Sequence, residues 1–446
     1  MTTIQIIYLI TGTLAAFFLF WFAKTSFAEK KIKPAVLSII TLFIFALIWF
    51  GAYILIYPNI SAMLTPVILI MIFSVLFFMP LGRTKTIKIE KNSEKVDERD
   101  TMFAREEYTP GAEKYEKYYS MRPENKNIDD KIRRLPRLLA PGGKFYDPVR
   151  SGYIASLFEV EEQLITLVDG EVSTEKTEND PVMVSELLKE LTLNLGADEA
   201  GIAGLNPNYV YSHVGRGPEP WGSEVNNTHK YVIVFTVEMN YEKVEEAPRI
   251  GITEETALQY LNAQKISIAL AQFIRDLGYP ARAHVAGSNY QIMLPPVAHD
   301  AGLGEMGRLG YLISPKYGAR IRLGAVTTDI PLIPDSPIQF GVQDFCEKCK
   351  KCAVNCPSGA IPNDDKTVVR GVEKWMLHIE KCFQYWRIIG TDCGLCMKVC
   401  PFSHPDTIIH NILRKGIKNS SFARTISLWG DDLYYGKKVK FPKYRE

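Results

Sequence analysis

Cys346–Pro357 (CEKCKKCAVNCP) and Lys381–Pro405 (KCFQYWRIIGTDCGLCMKVCPFSHP) hold all eight cysteines of the chain. The first run reads C-x2-C-x2-C-x3-C-P, with Cys346, Cys349, Cys352 and Cys356 ahead of Pro357. This is the bacterial ferredoxin spacing for [4Fe–4S] ligation. The second run keeps the C-x2-C-x3-C-P end in Cys393, Cys396, Cys400 and Pro401, and places ten residues between Cys382 and Cys393. In two-cluster ferredoxins the cysteine before proline ligates the other cluster. The pattern therefore assigns Cys346, Cys349, Cys352 and Cys400 to one cluster, and Cys382, Cys393, Cys396 and Cys356 to the other. Disulfides and zinc knuckles are the alternatives, but zinc sites favour paired C-x2-C knuckles without a third cysteine two residues on. No cysteine lies outside the runs, so nucleophilic thiol chemistry has no candidate.

The N-terminal end is apolar. Ile4–Ala23, Ala35–Tyr57 and Ile60–Leu81 contain no Asp, Glu, Lys or Arg. Runs of about 20 residues match a hydrocarbon core of roughly 30 Å, so the reading is three transmembrane helices. Lys24, Lys30, Lys31 and Lys33 follow the first run, and Arg83, Lys85, Lys88 and Lys91 follow the third. The positive-inside rule then gives a multi-pass protein of the cell (inner) membrane, with everything after Leu81 in the cytoplasm. Met1–Gln5 lacks the basic n-region of an export signal. With 52 Lys and Arg against 50 Asp and Glu, the net charge of +2 gives no reason to expect a nucleic-acid partner.

Residues 84–135, rich in charge and tyrosine, read as a solvated linker with helical pieces. Tyr231–Met239 and Ile321–Thr328 read as strands, and Glu254–Leu277 as an amphipathic helix ended by Gly278. The alternation implies an α/β domain. Gly302, Gly304 and Gly307 form G-x-G-x-x-G around Glu305, but no strand leads into it and no acidic residue follows about 20 positions on. A nicotinamide site is rejected; a loop that lets backbone approach a large cofactor fits.

Together with Phe273–Tyr279 (FIRDLGY) and Ala301–Leu332, the cysteine runs resemble those of the corrinoid- and iron–sulfur-dependent reductive dehalogenases. The resemblance covers roughly residues 135–410. It implies a nitroreductase-like α/β domain holding base-off cobalamin, fed by two [4Fe–4S] clusters, that replaces halogen with hydrogen on a small organohalide. It also implies a tyrosine proton donor beside a basic residue. These map to Tyr260 and Arg322, with Arg320, Arg308 and Tyr241 as rivals, Asn289 as a pocket asparagine, and Thr256 one turn before Tyr260. Gly302, Gly304, Glu305, Arg308 and Trp386 are the further cofactor-contact candidates. A nearby guanidinium favours phenolate and so assists proton release. The cluster of Cys382, Cys393, Cys396 and Cys356 is expected to face cobalt.

The domain reading is a membrane anchor over 1–83, a linker over 84–135, a catalytic domain over 136–335, a ferredoxin-like 2[4Fe–4S] domain over 336–415 and a tail over 416–446. The family usually carries a twin-arginine signal and a separate anchor protein, so the anchor here reads as fused. The expected partners are membrane lipid and a membrane electron donor, either a quinol or a redox protein. An epoxyqueuosine-reductase-like enzyme and a simple electron-transfer protein are the competing functions.

Overall fold

The structure is a computed structural model, described over residues 2–56, 60–82, 84–88, 94–285 and 290–439. It divides into two compact units. One comprises Met1–Lys85, Phe340–Cys349 and His404–Glu446; the other comprises Thr86–Gln339 and Lys350–Ser403.

In the first unit, Thr3–Ala28 and Ile32–Ile56 are long and apolar enough to cross a membrane. The third apolar run forms the helix Ile60–Phe78, whose 19 residues contain Pro66. At helical rise it reaches about 29 Å, and among the described residues two helices meet both the length and the composition of a membrane span. The expected tail is not a tail. Residues 408–434 form the helices Ile408–Asn419 and Ser421–Tyr434, which pack on the apolar helices. Gly416 makes this approach possible, since a Cβ there would lie 2.1 Å from the ring of Phe77. The Ser420 hydroxyl donates to Leu76 O at 2.7 Å, and Phe22 meets Tyr434 edge-on at 5.2 Å.

The second unit is built on a four-stranded sheet in the order Glu199–Gly204, Tyr231–Glu238, Ile321–Thr328, Ala281–His284. Every pairing is antiparallel. The strands Tyr231–Glu238 and Ile321–Thr328 read from sequence are its two central members, because β-branched and aliphatic residues can be buried on both faces there. One face, including Ile233 and Val326, packs against Leu270, Ala271 and Ile274 of the long helix Ile250–Asp276. The other face, including Val234 and Ala325, packs against Leu294, Val297 and Ala298 of the helix Leu294–Asp300. The long helix begins four residues earlier than its apolar periodicity predicts and stops at Gly278. That glycine has φ +83°, and a Cβ on it would meet Glu175 O at 2.5 Å.

Residues 98–133 depart from the solvated linker expected of them. They fold into short helices around Tyr108, Tyr115, Tyr118 and Tyr119, with Trp221 against them. Arg105 and Asp129 pair at 2.7 Å with side chains only 3% and 1% exposed. Tyrosine supplies apolar area while its hydroxyl finds a partner, so a segment poor in aliphatic residues can still build a core. The chain passes between the two units at Gln339/Phe340 and again at Cys349/Lys350, so residues 350–403 belong with the sheet. Residues 391–398 pack on the start of the long helix: Asp392 N–H donates to Thr253 Oγ1 at 2.9 Å, and Thr391 Oγ1 donates to Pro248 O at 3.1 Å.

Candidate active site and cluster module

Strand alternation and helical spacing set the site. Arg322 and Gly324 project from the same face of their strand, toward the long helix. A Cβ on Gly324 would lie 2.4 Å from Phe235 and 3.0 Å from Ser267 Oγ, so its absence lets the helix sit close. Thr256 and Tyr260, one turn apart on that helix, then come within reach of Arg322. Arg322 Nη2 donates to Thr256 Oγ1 at 2.7 Å, and the Thr256 hydroxyl donates to Ile252 O at 2.9 Å. The guanidinium carbon lies over the Tyr260 ring, 5.1 Å from its centroid. Among the described residues no hydrogen bond joins the guanidinium to the phenol oxygen; the contact is with the ring face. Arg322 Nε is buried without a partner.

Three groups that sequence reading missed complete the surroundings. Burial pushes the phenols of Tyr290 and Tyr311 well up. Tyr260 and Glu161 add to the effect at Tyr290, and the thiols of Cys396 and Cys382 add to it at Tyr311. Tyr311 thus stands in electrostatic range of both Arg322 and the second cysteine run. Asp392, beside Cys393, is pushed up by burial and held back by Arg322 and Thr256. Tyr311 nevertheless keeps 38% of its surface accessible. Only its place within Ala301–Leu332 could have flagged it.

Glu161, on the helix Pro148–Leu164, has no accessible surface and no hydrogen-bond partner on either carboxyl oxygen. Burial, reinforced by Glu162, pushes its pKa up to about 8, so at neutral pH it is largely the neutral acid.

The rivals have structural duties. Arg320 lies over the Tyr241 ring at 5.5 Å and donates to Ser403 O, Glu238 Oε1 and Met239 O at 2.6–2.8 Å. Arg308, expected at the cofactor, instead donates to Pro362 O and Asp364 O, both at 2.8 Å, and stacks on Trp375. The glycine loop is likewise explained by protein. A Cβ on Gly302 would meet Ser336 O at 2.7 Å, and one on Gly304 would meet Ile313 O at 2.2 Å. Glu305 is buried in the short hairpin that follows. Trp386 packs with Phe103 and Phe383, each 6.2 Å away, and joins the apolar shell around Cys393. Asn289 lies outside the described residues.

All eight cysteines are free, which removes the disulfide alternative. The two C-x2-C turns repeat each other. Lys350 and Gly394, each directly after a cysteine, adopt left-handed φ of 55° and 63°, and each is followed by a single helical turn, Lys351–Val354 and Leu395–Lys398. A lysine in that region costs about 1–2 kcal/mol, a strain typical of functional loops. Burial raises the thiols of Cys382 and Cys393 to about 12 and pushes that of Cys396 well up, and Cys356 adds to all three. Cys356, Cys382, Cys393 and Cys396 thus form one mutually interacting set. Such thiols are poor nucleophiles, and metal coordination would stabilise their thiolates. Ala360 N–H also donates to Cys356 Sγ at 3.2 Å.

Residues 345–404 match the 4Fe-4S dicluster domain family. The chain is 35% identical over 294 residues to a tetrachloroethene reductive dehalogenase of Sulfurospirillum multivorans, covering 58% of each protein. It is 34% identical over 277 residues to a tetrachloroethene reductive dehalogenase of Desulfitobacterium hafniense, covering 52% of this chain and 50% of that one. The chain thus spans little more than half the length of these relatives. A catabolic reductive dehalogenase solved with 3-bromo-4-hydroxybenzoic acid superposes with a TM-score of 0.65 at 28% identity, over 81% of this chain and 49% of that one. In sequence, fold and cluster module the chain is similar to these reductive dehalogenases.

Proposed function

We propose that this chain is a membrane-anchored reductive dehalogenase that replaces halogen with hydrogen on a small organohalide. The observation that carries the reading is the Arg322–Thr256–Tyr260 set, which lies in electrostatic range of Tyr311 and, through it, of Cys396 and Cys382. Tyr260, Arg322 and Asn289 are the proposed catalytic residues. The two cysteine sets hold the two [4Fe–4S] clusters, with the Cys356, Cys382, Cys393 and Cys396 set toward Arg322 and Tyr260. A corrinoid would sit beside this set, against the partly exposed Tyr311. When bound, these groups supply two electrons and a reduced metal centre competent to take halogen from carbon.

The chain's own residues supply the remainder. Two electrons and one proton convert carbon–halogen to carbon–hydrogen and free halide. Tyr260 offers the proton at its phenol oxygen, which leaves a phenolate. Arg322 stays charged in this enclosed place, with Tyr260 and Asp392 favouring its cation against burial, and it stabilises that phenolate through space. Thr256, its hydroxyl committed to Ile252 O, holds one arm of the guanidinium and fixes its orientation. Enclosure excludes bulk water and strengthens each of these interactions.

Outward-facing Phe43, Leu47, Ile54 and Leu55 support membrane anchoring. We read the anchor as three spans in the inner membrane, with Lys24, Lys30, Lys31 and Lys33 and the catalytic unit on the cytoplasmic side. A quinol or membrane redox protein would feed the clusters. The test is anaerobic purification with cobalamin available, followed by reduced-viologen assays on chlorinated and brominated alkenes and phenols. Corrinoid and iron in the purified protein with halide release are expected. A protein with iron but no corrinoid would overturn the reading.

A further inference from the structure

Glu29, the C-cap residue, directly follows the helix Thr3–Ala28. Its carboxylate Oε1 lies 2.8 Å from His410 Nε2, and both side chains are only 4% exposed. The His404 ring stacks on His410 with centroids 4.6 Å apart and lies tilted against Tyr435 at 4.2 Å. On its far side, His404 Nε2 lies 2.8 Å from Asp431 Oδ1. One ligand atom from each of Glu29, His404 and His410 lies within 4.8 Å of the others. All of these residues belong to the first unit.

Ser26 and Tyr435 lie beside the Glu29 carboxylate: the Tyr435 phenol hydrogen-bonds with both Ser26 and Glu29, so three buried oxygens share one place. The carboxylate of Asp431 on His404 is the outer partner that orients a ligating histidine.

We propose that Glu29, His404 and His410 bind one divalent borderline cation of the zinc type, oriented by Asp431. Two imidazoles and a carboxylate are a zinc-type donor set that leaves one position open, and the Ser26 and Tyr435 hydroxyls lie where a bound water would be held. Bonds of about 2.0–2.2 Å set tetrahedral donors roughly 3.4 Å apart, so the 2.8 Å contact of Glu29 with His410 opens slightly as His404 moves in. The ion is structural. It ties the end of the first apolar helix to the helix Ile408–Asn419 and to His404, which lies four residues beyond the cluster ligand Cys400. Four residues of chain reach at most about 14 Å, so the clasp anchors the trailing end of the cysteine run. The proposal does not depend on the dehalogenase reading; either can fail alone.

The test uses the full chain in detergent, prepared anaerobically, stripped with EDTA, re-equilibrated with zinc and desalted. Zinc, iron and cobalt are then counted by mass spectrometry. About one zinc per chain is expected, with near-complete loss in Glu29→Gln and His410→Gln while iron is unchanged. Asp431→Asn, which removes no ligand, should weaken zinc binding about 10–100-fold. Wild-type chain that retains no zinc, or variants that retain it at wild-type affinity, would overturn the site. Constant iron in the variants establishes that zinc loss is not unfolding.

Discussion

Two arginine–tyrosine pairs start from almost the same point on one strand. Arg320 lies 5.5 Å over the Tyr241 ring and Arg322 lies 5.1 Å over the Tyr260 ring. By ring geometry alone they are alike. Their hydrogen bonding separates them. Arg320 is fully buried and committed to Ser403 O, Glu238 and Met239 O, so it fastens the strand to its neighbours. Arg322 has one strong anchor, Thr256, with Tyr290 and Tyr311 in electrostatic range. Each arginine keeps one buried nitrogen unpartnered, Nη2 of Arg320 and Nε of Arg322, so the difference lies in what the other donors hold. Those of Arg320 tie two carbonyls and a carboxylate together, whereas the short bond of Arg322 goes to one hydroxyl beside a phenol.

Exchanging each arginine for leucine should split the pairs. Arg320→Leu is expected to destabilise by about 3–5 kcal/mol, since it strips two carbonyls, and the partly exposed Glu238 carboxylate, of their donor. Arg322→Leu should leave the melting temperature nearly unchanged and abolish turnover. Equal stability losses in the two would break the distinction. The thiols sharpen it from the electron side. Cys396→Ala should reduce iron from about eight to about four per chain and abolish viologen-driven turnover, as measured by iron assay and halide release. Thr256→Val removes the anchor of Arg322 alone, and about a tenfold fall in turnover without loss of corrinoid is expected.

The smallest effect concerns pH. The native Glu161 carboxyl stands above its ordinary value, at about 8, so the folded chain holds that proton more tightly than the unfolded one. Its stabilising contribution is full below the ordinary carboxylate range and is lost as pH rises toward 8. Glu161→Gln should therefore raise the apparent melting temperature by about 3 °C at about pH 8.5, and the two proteins should converge near pH 5.

Local rules carried part of this structure in the sequence. Cysteine spacing, the β-branched strands and Gly278 are local signals, and Thr256–Tyr260 follows from helical spacing once the helix is placed. Residues 98–133 stayed hidden because their core is tyrosine and paired charge, which composition counts as polar. Gly302 and Gly304 suggested a cofactor cradle, but the clashes they avoid are with Ser336 and Ile313, far along the chain. Tyr290, Tyr311 and Asp392 reach the site only through the antiparallel pairing and the packing of residues 391–398 on the long helix. No local pattern encodes that. The helices after residue 408 acquire a role only through contact with the apolar helices.

The most direct measurement compares Tyr260→Phe with Tyr241→Phe under reduced viologen, with corrinoid and iron contents matched to wild type. Loss of the Tyr260 proton donor should lower turnover about 10²–10⁴-fold, while Tyr241→Phe stays near wild type. Unchanged turnover in Tyr260→Phe, or an equal loss in both, would contradict the assignment of Tyr260 as the proton donor.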